Sequence, residues 1–171
     1  FRQLPSIPGF SESSRFVAID SKGAIWVSQP YHGVYKITLS ASGQFNVNVY
    51  GQNKGLPSTL NNHIYKIKNE VLAATERGLY NYNDKNDSFE PSPFYTKLLG
   101  TQSVRYLKED SEGNIWFIHD KSLGVIDLTV KDPKTIFIPE LSCKLLSGFE
   151  FIYPVDSSNI FLGAEKGFFH I

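Results

Sequence analysis

The eight residues Asp20–Val27, DSKGAIWV, return as Asp110–Phe117, DSEGNIWF, 90 residues further along a chain of 171. An acid, a glycine, an Ile-Trp pair and a closing apolar residue are common to both. Weaker copies fill the interval and follow it. Glycines open GVYKI at Gly33, GLYNY at Gly78, GVIDL at Gly124 and GFFHI at Gly167, at steps of 45, 46 and 43 residues. Ahead of each glycine lies a short apolar run: Ile25–Val27, Val71–Ala73, Ile115–Phe117 and Ile160–Leu162. Ahead of each run lies a turn: Asp20–Gly23, Ile67–Glu70, Asp110–Gly113 and Asp156–Asn159. A period of this length marks an array of supersecondary units, each too small to bury its own apolar face without a neighbour.

The units read as strands. SRFVAID, AIWVS, GVYKI and QFNVNVY are short, rich in β-branched and aromatic residues, and bounded by Gly, Asp, Asn and Ser. In the Asp-Ser-Lys-Gly turn the carboxylate can accept backbone N–H groups two residues on, and Gly takes the left-handed conformation that finishes a tight hairpin. Asn159 stands where that Gly would be in the last copy and is expected to adopt the same conformation. No helix beyond a single turn is expected; the best candidate, GLPSTLNNHI, is broken by Pro57 and has no apolar stripe.

Four strands in about 45 residues make one blade of a β-propeller. The predicted fold is therefore all-β, with about four four-stranded antiparallel blades. Their approximate bounds are 11–60, 61–101, 102–148, and 149–171 completed by 1–10. With strands named A to D from the centre outwards, Trp26 and Trp116 fall on strand B and pack between blades. Phe1–Leu4 reads as a strand able to complete the last blade; the alternative is a part of a larger ring with open edges. The chain contains no Met, so it is expected to be cut from something longer.

Composition narrows the function. Seventeen Lys+Arg balance 17 Asp+Glu, so no positive field exists for nucleic acid. The lone Cys143 excludes an internal disulfide and a zinc site of ordinary cysteine spacing. No apolar run approaches the roughly 18 residues of a spanning helix, and direct membrane contact is not expected.

The pattern Asp-x-x-Gly-Asn-Ile-Trp-Phe, followed after a few residues by Gly-Val/Leu and an apolar strand, resembles the two-component regulator propeller repeat. YGQNKGLPSTLNNHIYKI, Tyr50 to Ile67, resembles the segment that joins successive blades in that family. The likeness is specific in the first and third copies. It is looser in the second, which lacks the Trp and the Asp-x-x-Gly turn, and in the fourth, where Phe161 replaces Trp. The resemblance implies a periplasmic sensor region of a bacterial hybrid two-component or membrane-anchored transcriptional regulator, of the Bacteroidetes type that senses polysaccharide fragments. It carries over no catalytic group, because the shared residues are scaffold.

No other chemistry is well signalled. His32 and His119 fall in B–C loops two blades apart, and with His63 and His170 they lack carboxylates at helper spacing, so no metal or other cofactor is expected. DKNDS, Asp84 to Ser88, has Phe89 where a calcium loop needs Gly, and Tyr95 where it needs the closing Glu. Asn86-Asp87-Ser88 is a formal glycosylation sequon. No nucleophile motif or phosphate-binding glycine loop appears. The remaining readings are a ligand-sensing propeller for oligosaccharides, a structural or protein-interaction propeller that meets other blades or a second copy through its edges, and a propeller lyase. Blade geometry puts B–C loops and D–A connections on one face. The candidate ligand-binding residues are therefore Tyr31, His32, Glu76, Arg77, His119, Asp120, Lys121, Glu165 and Lys166 from the loops, with Asn53, Lys54 and Tyr95 from the connections. Aromatic faces beside charges and amides suit a sugar ring and its hydroxyls.

Overall fold

The computed structural model describes residues 6–146, 148–156 and 158–171. Among these residues, strands form four antiparallel sheets, each following chain order from strand A outwards. The first holds Phe16–Ile19 (β1), Ile25–Gln29 (β2), Gly33–Leu39 (β3) and Phe45–Tyr50 (β4). The second holds His63–Ile67 (β5), Glu70–Thr75 (β6), Gly78–Asn83 (β7) and Ser88–Pro91 (β8). The third holds Tyr106–Glu109 (β9), Ile115–His119 (β10), Ser122–Asp127 (β11) and Lys134–Ile138 (β12). The fourth holds Ile152–Asp156 (β13), Asn159–Ala164 (β14) and Gly167–His170 (β15). These are β-propeller blades, as the repeat predicts. The expected outer strand of the fourth blade, Phe1–Leu4, lies outside the described residues.

The repeated octapeptide has a direct physical cause. Asp20 Oδ1 accepts the backbone N–H groups of Lys22 and Ala24, both at 2.9 Å, while Oδ2 accepts the Trp26 indole N–H at 2.8 Å. Asp110 does the same for Glu112 and Asn114, at 3.0 and 2.9 Å, and for the Trp116 indole at 3.0 Å. One carboxylate thus fixes the A–B turn and also satisfies a buried indole, which explains why the acid and the Trp recur six residues apart. Burial opposes the Asp20 charge, but the bonds from Trp26, Ala24 and Lys22 outweigh it and hold its carboxyl below the usual range.

Asn159 departs from expectation. Gly23 and Gly113 both sit at φ +83°, but Asn159 is not among the residues with positive φ. Its side-chain amide instead donates to both carboxylate oxygens of Asp156, at 2.8 and 3.0 Å, and its backbone begins β14. Asn binds the turn acid here rather than imitating Gly. In the second sheet, Lys68 and Asn69 both have positive φ, at 51° and 64°, the combination that a two-residue hairpin turn needs.

The expectation of no helix beyond one turn is also corrected. Pro93–Leu99 forms a seven-residue α-helix (α1) in the connection from β8 to β9. Pro93 presets the first turn, Gly100 ends the helix at φ +68°, and Tyr95 and Leu99, four apart, bury one side. About two turns are too few to show a periodic stripe in sequence.

The chain divides into two compact units, Phe1–Ala73 with Tyr80–Glu90, and Ala74–Leu79 with Pro91–Ile171. In the first unit Trp26, fully buried, meets Tyr82, Tyr50 and Phe89 with ring centroids 4.5, 5.3 and 5.8 Å away. This is the face-to-face packing of successive blades that the strand-B position implies. The opposite face of the first sheet, formed by Val27, Tyr35 and Ile37, is covered by Ile7 and Phe10. In the second unit β10 is buried on both faces, through Ile115, Trp116, Phe117 and Ile118.

Candidate functional site

Hydrogen bonds tie the B–C loops to the D–A connections. In the first unit the Asn61 N–H donates to Pro30 O and the Gly33 N–H to Thr59 O, each at 2.9 Å. In the second unit the Val104 N–H donates to Thr75 O at 3.2 Å, the Cys143 N–H to Lys121 O at 3.1 Å and the Glu165 N–H to Lys144 O at 3.3 Å. Loops and connections therefore emerge together within each unit, as strand order requires.

The candidate residues divide by how far they are already engaged. Tyr31 is 68% exposed, and the N–H groups of Tyr31 and His32 both donate to the buried Gln29 side chain, at 2.5 and 2.6 Å, which holds the loop in shape. The His32 ring meets Glu12 at 3.1 Å. Asn53 is exposed on a 3-10 turn, Gln52–Lys54. Glu76, Arg77 and Lys121 are exposed, and the Arg77 N–H donates to Thr75 Oγ1 at 3.0 Å. His119 is engaged twice, with Ser103 O at 2.7 Å and with Asp120 at 3.4 Å.

Two candidates are engaged within the fold. Tyr95 is 6% exposed on the buried side of α1, so its ring does not reach a loop rim. Lys54 is held by Asp87 at 2.7 Å. Gly55, at φ +87°, explains why: a Cβ there would stand 2.0 Å from Phe89 O, so the connection runs against the backbone of β8 and brings Lys54 to the β7–β8 turn. Asp87 also accepts the hydroxyls of Tyr50 and Tyr82, at 2.6 and 2.7 Å. Donation from Lys54, then from the two tyrosines, holds its carboxyl well below the ordinary range. Burial, then the bond to Asp87, pushes the Tyr50 hydroxyl up. This cluster joins the two segments and pairs Lys54 with Asp87.

Glu165 and Lys166 do come together at a cavity. They border a cleft of about 320 Å³ with Cys143, Lys144, Ala164, Phe168 and Phe169. Lys144 Nζ lies 5.3 Å from the centre of the Phe169 ring, a cation–π contact. Phe168 is 68% exposed. Sequence reasoning missed Lys144, Phe168 and Phe169. The strand-order argument that selected Asn53 and Tyr95 would have selected Lys144 too, since it lies in the connection from β12 to β13. The two phenylalanines lie within β15, where the repeat signals only a strand. Among the described residues, no group of three His, Cys, Asp or Glu is placed to hold a metal ion.

No protein-family model matches the chain, and no curated protein matches it in sequence. Solved structures do. The extracellular domain of BT4673 from B. thetaiotaomicron, assigned in one crystal structure to a one-component system and in another to a hybrid two-component system, is similar with TM-scores of 0.66 in both. Identity is 20% and 19%, over 92% and 96% of this chain. The extracellular domain of BT3049 from the same organism, assigned to a hybrid two-component system, gives a TM-score of 0.62 at 24% identity over 91% of the chain. A Bacteroides caccae protein of unknown function gives 0.55 at 10% identity, covering 88% of this chain and 56% of that one. The chain spans only 22%, 23% and 21% of these three extracellular-domain chains. Among the described residues no helix is long and apolar enough to cross a membrane. The chain thus has the blade architecture found in extracellular domains of Bacteroides signalling systems.

Proposed function

We propose that the chain is a non-catalytic, extracytoplasmic ligand-binding segment of a signalling protein, placed in the periplasm and recognising oligosaccharides. The observation that carries this reading is the cleft beside β15, lined by two phenylalanines, two lysines and a glutamate. Its volume suits a sugar residue or a short oligosaccharide end, with ring C–H groups on the aromatic faces and hydroxyls on the charged rim. The fold likeness to extracellular domains of signalling systems supports the sensor role. Calorimetric titration with a panel of neutral and acidic oligosaccharides tests it. Saturable binding of at least one is expected, and no binding by any, with the protein folded, contradicts it.

One observation favours a second reading, a protein-interaction surface. Tyr153 and Val155 on β13 are each 54% exposed, and the adjacent Phe151 is 56% exposed. The position in the third sheet equivalent to Phe151, Tyr106 opposite Ile118, is buried. An uncovered apolar blade face of this kind would accept another blade or a second copy. Light scattering at micromolar concentration separates the readings, since the interaction surface predicts self-association that Phe151→Ser with Tyr153→Ser removes.

A further inference from the structure

Resting on the oligosaccharide reading, we infer that the cleft beside β15 selects an anionic sugar, with Lys144 and Lys166 meeting a uronate carboxylate or a sulfate ester and Phe168 carrying the ring. Two lysines and one glutamate line the cleft, in a protein whose overall charge is zero. Its positive excess is therefore local. Among the described residues, neither lysine has a carboxylate within ion-pair distance, and Glu165 pairs with neither. This contrasts with Lys22 and Lys54, which are paired with Asp84 and Asp87.

Lys144 is also positioned. Its carbonyl is held by the Glu165 N–H at 3.3 Å, and its ammonium lies over Phe169. The ring fixes the charge without neutralising it, so an incoming anion meets an oriented donor. Phe168, mostly exposed at the same cleft, offers the apolar face that a sugar ring needs and that a bare inorganic anion would not use. Glu165 adds an acceptor for a neighbouring hydroxyl. Its charge also repels an anion placed at the wrong end, which gives the site a direction.

The test is calorimetry with three probes of equal length: an oligogalacturonate, a sulfated galactose oligomer and a neutral galactose oligomer. The variants are Lys144→Gln, Lys166→Gln and the pair together. An acidic probe is expected to bind at least about tenfold more tightly than the neutral one, with an affinity that falls as salt rises. The double variant should lose about tenfold or more in acidic binding, leave neutral binding unchanged and melt at the parent temperature. The two acidic probes tell carboxylate from sulfate. Equal or tighter neutral binding overturns the anionic assignment while leaving the oligosaccharide reading standing. Undiminished acidic binding in the double variant likewise removes the anion from this cleft. Failure of all three probes to bind, when a panel of other sugars also fails, overturns both.

Discussion

Replacing Trp26 with alanine is expected to destabilise the first unit by roughly 3–5 kcal/mol, the range for truncating a large buried aromatic. The side chain has no exposed surface and touches three other rings, Tyr82, Tyr50 and Phe89. Its removal opens a cavity that the short, paired strands around it cannot close. It also strips Asp20 of the indole donor and Lys36 of one of its two aromatic faces. Trp26→Phe separates these effects, since it restores much of the volume but not the hydrogen bond, and should cost clearly less. Urea unfolding with an unchanged slope measures both. A Trp26→Ala midpoint close to the parent would mean that this residue does not join successive blades.

Asp87→Ala is expected to cost about 3 kcal/mol at neutral pH. It leaves the buried Tyr50 hydroxyl without its acceptor, and it puts Ala at φ +49°, where Asp is tolerated far better. The effect should depend on pH in a definite sense. The Asp87 carboxyl titrates lower in the folded chain than in the unfolded one, so the unfolded state takes up its proton first as pH falls. The stability contributed by the charged carboxylate is then fully present above about pH 4 and shrinks steadily below it. The difference between parent and Asp87→Ala should therefore be constant from pH 8 to 5 and narrow towards pH 2. A difference that widens on acidification would contradict the network. Gly at position 87 relieves the backbone conformation without restoring the acceptor, and so isolates the hydrogen-bond part.

The strands were legible in sequence because the blades repeat the same local chemistry: an apolar strand B and a glycine opening strand C in all four, and an Asp that organises the A–B turn in three. Even the looser second copy folds as expected, with Lys68-Asn69 substituting its own hairpin chemistry for Asp-x-x-Gly. At Asn159 two mechanisms compete, left-handed backbone and side-chain bonding to the turn acid, and the presence of Asp156 three residues earlier favours the second. The helix α1 escaped detection because two turns carry no periodic signal.

The loop face was legible for a different reason. Strand order alone puts B–C loops beside D–A connections, and the Pro30–Asn61, Thr75–Val104 and Lys121–Cys143 contacts follow from it. What strand order cannot specify is which of those side chains remain available. Lys54 is paired with Asp87, 33 residues away, and Tyr95 is buried by the packing of α1. Both depend on tertiary partners with no local signature. The cleft at Lys144, Glu165, Lys166, Phe168 and Phe169 likewise arises where a connection and a B–C loop meet.

The most direct test of the account is hydrogen exchange on the chain with and without the tightest-binding oligosaccharide of the panel. The account predicts slowed exchange in residues 143–144 and 164–169, with the A–B turns at 20–24 and 110–114 unchanged. Protection confined to those turns, or spread evenly over all four sheets, would contradict a ligand site on the loop side of the fourth blade.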